Sequence, residues 1–163
     1  MSRRRSHPGA DPQVVHVIHR EVIDRLVTEV MNGGRLEVID DLYTPGLAAA
    51  ARRWIAPFLT SFSDVDMRVV DVVSEGDRAA ARFSCSGTHT GTWQGHPPTG
   101  RRFTNVAEVY FFRFEGARIA HAWPRGQLGS SAAPPTPSGQ PTQPLILPRN
   151  LYPSPDVGPS PMS

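Results

Sequence analysis

The sequence predicts an α+β domain in which N-terminal helices pack on one face of an antiparallel sheet. Three observations predict it. Apolar residues recur at three- and four-residue steps as far as Phe62, the period changes to two beyond Ser63, and short glycine turns separate the strand-like runs that follow. Helices first and a meander afterwards place the helices on one side of the sheet.

Residues 1–12 are polar, carry Pro8, Gly9 and Pro12, and are expected to be disordered. From Val14 the pattern is helical, with Val15, Ile18, Val22, Leu26 and Val30 forming one stripe. Asn32-Gly33-Gly34 stops that helix, because glycine readily takes the left-handed conformation of a C-terminal cap. A short second helix turns Leu36, Ile39 and Leu42 inward and ends at Thr44-Pro45-Gly46. A third carries Leu47, Ala51, Trp54, Ile55, Phe58, Leu59 and Phe62, with a kink or a start expected at Pro57.

The first strand alternates Val65, Met67, Val69, Asp71 and Val73 against Asp66, Arg68, Val70 and Val72. Glu75-Gly76-Asp77 turns the chain into a second strand, with Ala79, Ala81, Phe83 and Cys85 on one face. Phe103 to Phe114 forms a long third strand and Arg118 to Trp123 a fourth, joined at Glu115-Gly116. Residues 127–163 turn to Pro, Ser, Gly and Thr, with one apolar patch at Leu145-Ile146-Leu147. Such a composition reads as a disordered tail. One folded domain, residues 13–126, remains.

Composition narrows the function. The net charge is +2, and all 17 basic residues are arginines scattered along the chain, so no clustered basic face points to nucleic acid. Cys85 is the sole cysteine, which rules out an intrachain disulfide. No secretory leader or membrane-length apolar run is present, so a cytoplasmic location is expected. His16 and His19 are three apart on a helix without an evident third ligand, and His89 and His96 lack ligand spacing; no metal site is expected.

The stretch Gly87 to Gly100 concentrates turn glycines, a Pro97-Pro98 corner, His89, His96 and Trp93 between two strands. His89 continues the alternation of Phe83, Cys85 and Gly87 onto the apolar side. A histidine side chain, whose ordinary pKa is about 6.5, can exchange a substrate proton, or it can simply close a strand by bonding the adjoining loop. His121 alternates with Ile119 and Trp123 and is the second acid/base candidate. Glu108 and Tyr110 share a face with Thr104, Val106 and Phe112, opposite Phe103, Asn105, Ala107, Val109 and Phe111. On that face Glu108 is either a base with a raised pKa or a group turned to solvent or an arginine. Trp54, Trp93 and Trp123 either stack on a flat ligand or pack the core, with Trp93 placed as a lid.

The order of motifs resembles the SnoaL-like polyketide cyclases of the nuclear-transport-factor-2-like superfamily. The matching residues are Phe62-Ser63-Asp64, Glu75-Gly76-Asp77, Gly87-Thr88-His89-Thr90-Gly91, Gly95-His96-Pro97-Pro98-Thr99-Gly100-Arg101, and Arg113-Phe114-Glu115-Gly116 before Arg118-Ile119. The resemblance implies a cone-shaped curved antiparallel sheet wrapped around helices, a deep apolar cavity and a homodimer formed through the sheet. It also implies aldol-type ring closure of a ketone-bearing small molecule without metal or organic cofactor, driven by a carboxylate. His89 and His121 are then the catalytic candidates, with Trp93, Glu108, Tyr110, Trp123 and Trp54 as ligand contacts.

Two departures stand out. Tyr43-Thr44-Pro45-Gly46 runs straight into Leu47, where the family usually has a short strand. The family's aspartate, just before a Trp-Pro pair on the last strand, corresponds to Ala122 ahead of Trp123-Pro124. A binding or dimeric accessory protein that keeps the cavity without the chemistry is therefore the alternative.

Overall fold

The computed structural model describes residues 11–124. Most of the N-terminal segment expected to be disordered, and all of the expected tail, lie outside these residues. Helix α1 (Pro12–Arg25) starts earlier than the apolar stripe suggests. The Asp11 side chain accepts a hydrogen bond from the Gln13 amide at 2.9 Å, and Pro12 occupies the first turn, where its missing N–H costs nothing.

The helix continues as a π-helical segment, Leu26–Asn32. Wider turns hold residues four apart on one line, so Val22, Leu26 and Val30 are buried together with Ile23, Val27 and Met31. Gly34, at φ 68°, caps this segment and donates to the Val30 carbonyl at 2.9 Å. The Asn32 side-chain amide then does what a neighbouring strand would do. Its Nδ2 donates to the Met67 carbonyl and its Oδ1 accepts from the Met67 amide, both at 2.8 Å.

A 3₁₀ turn, Leu36–Val38, leads into the short α2 (Ile39–Leu42), and α3 spans Pro45–Ser61. The helix is not broken at Pro57. That residue lies on the exposed side, where water can serve the carbonyl four residues back that the proline cannot. Between α2 and α3 the chain makes a single parallel bridge, Tyr43 with Ile119, and the Thr44 amide donates to the Ile119 carbonyl at 2.9 Å.

Four strands, β1 (Phe62–Glu75), β2 (Arg78–His89), β3 (Arg102–Glu115) and β4 (Arg118–Pro124), form one curved antiparallel sheet in sequential order. The helices cover its concave face. Three irregularities overturn the strict alternation expected of the strands, because an extra residue exchanges the two faces beyond it. One at Val70 puts Val72, rather than Val73, in the core. Another, around Asn105 at φ 52°, returns Phe103 to the same face as Glu108, although alternation put it opposite. The third, between Ile119 and His121, keeps Ile119 inside and turns His121 out to solvent. Among the described residues no helix is long and apolar enough to cross a membrane.

Candidate functional site

Cross-strand registers arrange the concave face in rows. Ala79, Phe112 and Ala122 form one, Ala81 and Tyr110 the next, and Val69, Phe83 and Glu108 the third. Over the first two rows, between sheet and helices, lies a cavity of about 30 Å³. Trp54, Tyr43, Met67, Phe83, Tyr110 and Ala122 contribute to its walls, which are apolar throughout. That volume holds about two waters. The deep hollow expected from the resemblance is thus largely filled by the protein's own side chains. Bulky residues occupy the concave face, and Tyr43 bridges directly to Ile119 of β4.

Of the candidates, Trp54 and Tyr110 line this cavity, as does Ala122. Trp54 is the one large wall residue that is only half-buried. Tyr43, which sequence reasoning passed over, is fully buried with its hydroxyl unpaired, and burial holds its phenol above the usual range.

Glu108 is 8% exposed, and neither of its carboxylate oxygens has a hydrogen-bond partner. It sits across the β2–β3 ladder from Phe83 and two residues along β3 from Tyr110, so both neighbours on its face are cavity walls. Burial pushes its carboxyl up to about 8. Burial also pushes the Cys85 thiol up to about 12, with the carboxyls of Glu108 and Asp66 adding to the shift.

His89 is inside the protein but not at this cavity. It is 1% exposed, stacked on Phe62 at 5.0 Å, with Nδ1 3.2 Å from Thr99 Oγ1 and Nε2 unpaired. It lies six positions along β2 from Phe83, or about 20 Å at the usual strand rise. Trp93 is packed inward. It is 4% exposed and meets Phe58 and Phe62 edge-on, at 5.7 and 5.5 Å. A tight turn at Gln94 and Gly95, both at positive φ, points it inward, because the turn pairs the Trp93 and His96 backbones.

His121 and Trp123 face the other side of the sheet. Trp123 stacks on Phe111 at 6.0 Å and 18°, and the register continues through Ala80 to Val73, which is 61% exposed. This row lines an open groove of about 500 Å³ on the outer face. Among the described residues no group of three or more His, Cys, Asp or Glu could hold a metal ion.

A curved antiparallel sheet closed by helices over an apolar cavity defines the class of small α+β barrels. The model of the SnoaL-like polyketide cyclase family matches residues 21–128, and the chain belongs to that family. TsrD from Streptomyces laurentii is similar at 27% identity and a TM-score of 0.57, over 69% of this chain and 91% of that one. A SnoaL-like protein from Jannaschia sp. CCS1 shares the fold at 22% identity and a TM-score of 0.63, over 70% and 88% of the two chains. AclR from Streptomyces galilaeus shares it at 23% and 0.59, over 67% and 88%. A search of functionally curated proteins finds no match.

Proposed function

We propose that this chain binds a small, apolar, ketone-bearing molecule of polyketide type between its concave sheet and helices, and closes a ring in it by acid/base chemistry. The observation that carries this reading is the all-apolar cavity over the Ala122 and Tyr110 rows, in a chain of the cyclase family. At about 30 Å³ the cavity admits a ring only if a wall moves. Trp54 is the wall best placed to do so, since one side of it already meets solvent. The enclosed walls would then hold a flexible chain folded with its reacting carbons together, which supplies much of the barrier reduction for an internal condensation. Neither His89 nor His121 lines the cavity, so neither carries this proposal.

A second reading, binding without chemistry, is favoured by one observation. Among the described residues no carboxylate or imidazole lines the cavity itself, and Ala122 stands in its wall. A panel of aromatic polyketide intermediates, scored for tryptophan quenching and for turnover, separates the two. Cyclised product above the buffer rate supports the first; saturable binding with no product supports the second; neither binding nor product rejects both.

The outer row of Val73, Ala80, Phe111 and Trp123 supports a partner proposal as well. An apolar row of this kind, running across all four strands and open to solvent at Val73, suits a second copy of the same sheet.

A further inference from the structure

We infer that Glu108, a carboxyl carried on β3, is the catalytic acid/base of the concave site. The inference rests on the cyclase reading above and names the residue that reading lacks. Ala122 pairs with Phe112, and Glu108 lies four residues back along β3, on the same face. The Tyr110 row lies between them: Ala122 lines the cavity, and Glu108 lies just behind its wall residues Phe83 and Tyr110, about 13 Å from the Ala122 row along β3.

Packing does not account for this carboxyl. Several other carboxylates find arginines, as Glu29 does with Arg25 and Arg35, and Asp66 with Arg68. Glu108 is more than nine-tenths buried, and both of its oxygens lack a partner. Such a group is costly unless something else binds it, and an apolar side chain would fill the space at less cost. No charged residue contributes to its raised titration; burial is the whole cause. Cys85, on the adjacent row of β2, is the titratable group that feels this carboxyl, and its own thiol is neutral at pH 7. A carboxyl that titrates near neutrality is a better base than an exposed one and still returns its proton readily.

The step balances within one molecule. The Glu108 carboxylate takes a proton from the carbon beside a ketone, and the C–H electron pair passes into the enolate. The enolate carbon attacks a second carbonyl of the same chain and forms the C–C bond. The alkoxide so produced takes the proton back from Glu108. The ring is an isomer of the open chain, and nothing is oxidised or reduced.

The test uses the full chain and 2-tetralone in D₂O as a probe of enolisation, with α-deuterium uptake followed by NMR and binding by tryptophan quenching. The expected result is exchange above the buffer rate, rising with pH and levelling above about 8, the value to which burial moves this carboxyl. Glu108→Gln should bind the probe within a few-fold of the natural chain and lose exchange by about 100-fold or more. Glu108→Asp should keep part of the rate with a displaced pH profile, and it carries the test if the glutamine variant fails to fold. Exchange undiminished in the variants, or binding without exchange in the natural chain, overturns this inference and leaves ligand binding standing. Neither binding nor exchange in the natural chain overturns the binding reading together with it.

Discussion

His19 on α1 lies flat against Phe114 on β3, with ring centroids 3.9 Å apart and planes 13° from parallel. The imidazole is buried and its Nδ1 has no partner. Burial lowers its pKa below the usual 6.5; His16 lowers it further, and Asp77 acts the other way. The unfolded chain therefore binds this proton first on acidification. Stability should rise with pH through the window between the lowered value and about 6.5, and be lost below it. His19→Phe keeps the stack and removes the titration. Melting temperatures from pH 4.5 to 7.5 should show a flatter slope in the variant, and parallel curves would refute the assignment.

Glu108 makes the opposite contribution. Its native pKa of about 8 exceeds that of the unfolded chain, so the folded state holds the proton longer. The stability it contributes is complete below pH 4.5 and falls as pH rises toward 8. By linkage the loss at pH 7 is roughly 3 kcal/mol from this group alone. Glu108→Gln, which cannot ionise, should be relatively more stable at pH 8 than at pH 4.5. Denaturant unfolding at the two pH values measures the difference, and an unchanged difference counts against a buried, unpaired carboxyl.

Gly91 anchors the loop that carries Trp93. Its amide and that of Thr90 both donate to the Ser61 carbonyl at 2.9 Å, and Ser61 Oγ donates to the Thr92 carbonyl at 2.6 Å. A Cβ at position 91 would stand 2.7 Å from the Thr60 carbonyl oxygen and 2.9 Å from Ser61 Cα, both backbone atoms that cannot step aside. Gly91→Ala should destabilise the domain by about 1–3 kcal/mol. For a domain of this size that lowers the melting temperature by several degrees or more. A melting temperature equal to that of the natural chain would show that the contact is relieved elsewhere.

Association of two copies through the outer face, as proposed above, is read directly by light scattering. Phe111→Glu or Val73→Arg places a charge in the apolar row of Val73, Ala80, Phe111 and Trp123. Either should convert a dimer to a monomer with the melting curve little changed, since both positions lie outside the core. A natural chain that is already monomeric at micromolar concentration rejects the proposal.

The pattern of residues carried the element order well. The helical stripe of Val22, Leu26 and Val30, the turn glycines and the burial of Phe83, Cys85 and His89 are local signals, and the structure agrees with each. The start at Pro12 was also written in the chain, as a capping Asp11 followed by proline, and was overlooked. The candidate site was less legible. Trp54, Tyr110 and Glu108 lie at or beside the cavity, whereas His121, Trp123, Trp93 and His89 do not.

What the chain's own letters specified was the order of helices and strands, because side-chain period and turn chemistry act over a few neighbouring residues. Which way a side chain points was set elsewhere. One extra residue at Val70, at Asn105 and between Ile119 and His121 reverses every face beyond it, and each reversal depends on how a strand meets its neighbour. The cavity's size likewise came from Tyr43 closing on β4 and from large side chains meeting across the concave sheet. Contacts between residues far apart in sequence leave no period to read, so only the assembled fold places Glu108 in the dark beside an apolar hollow.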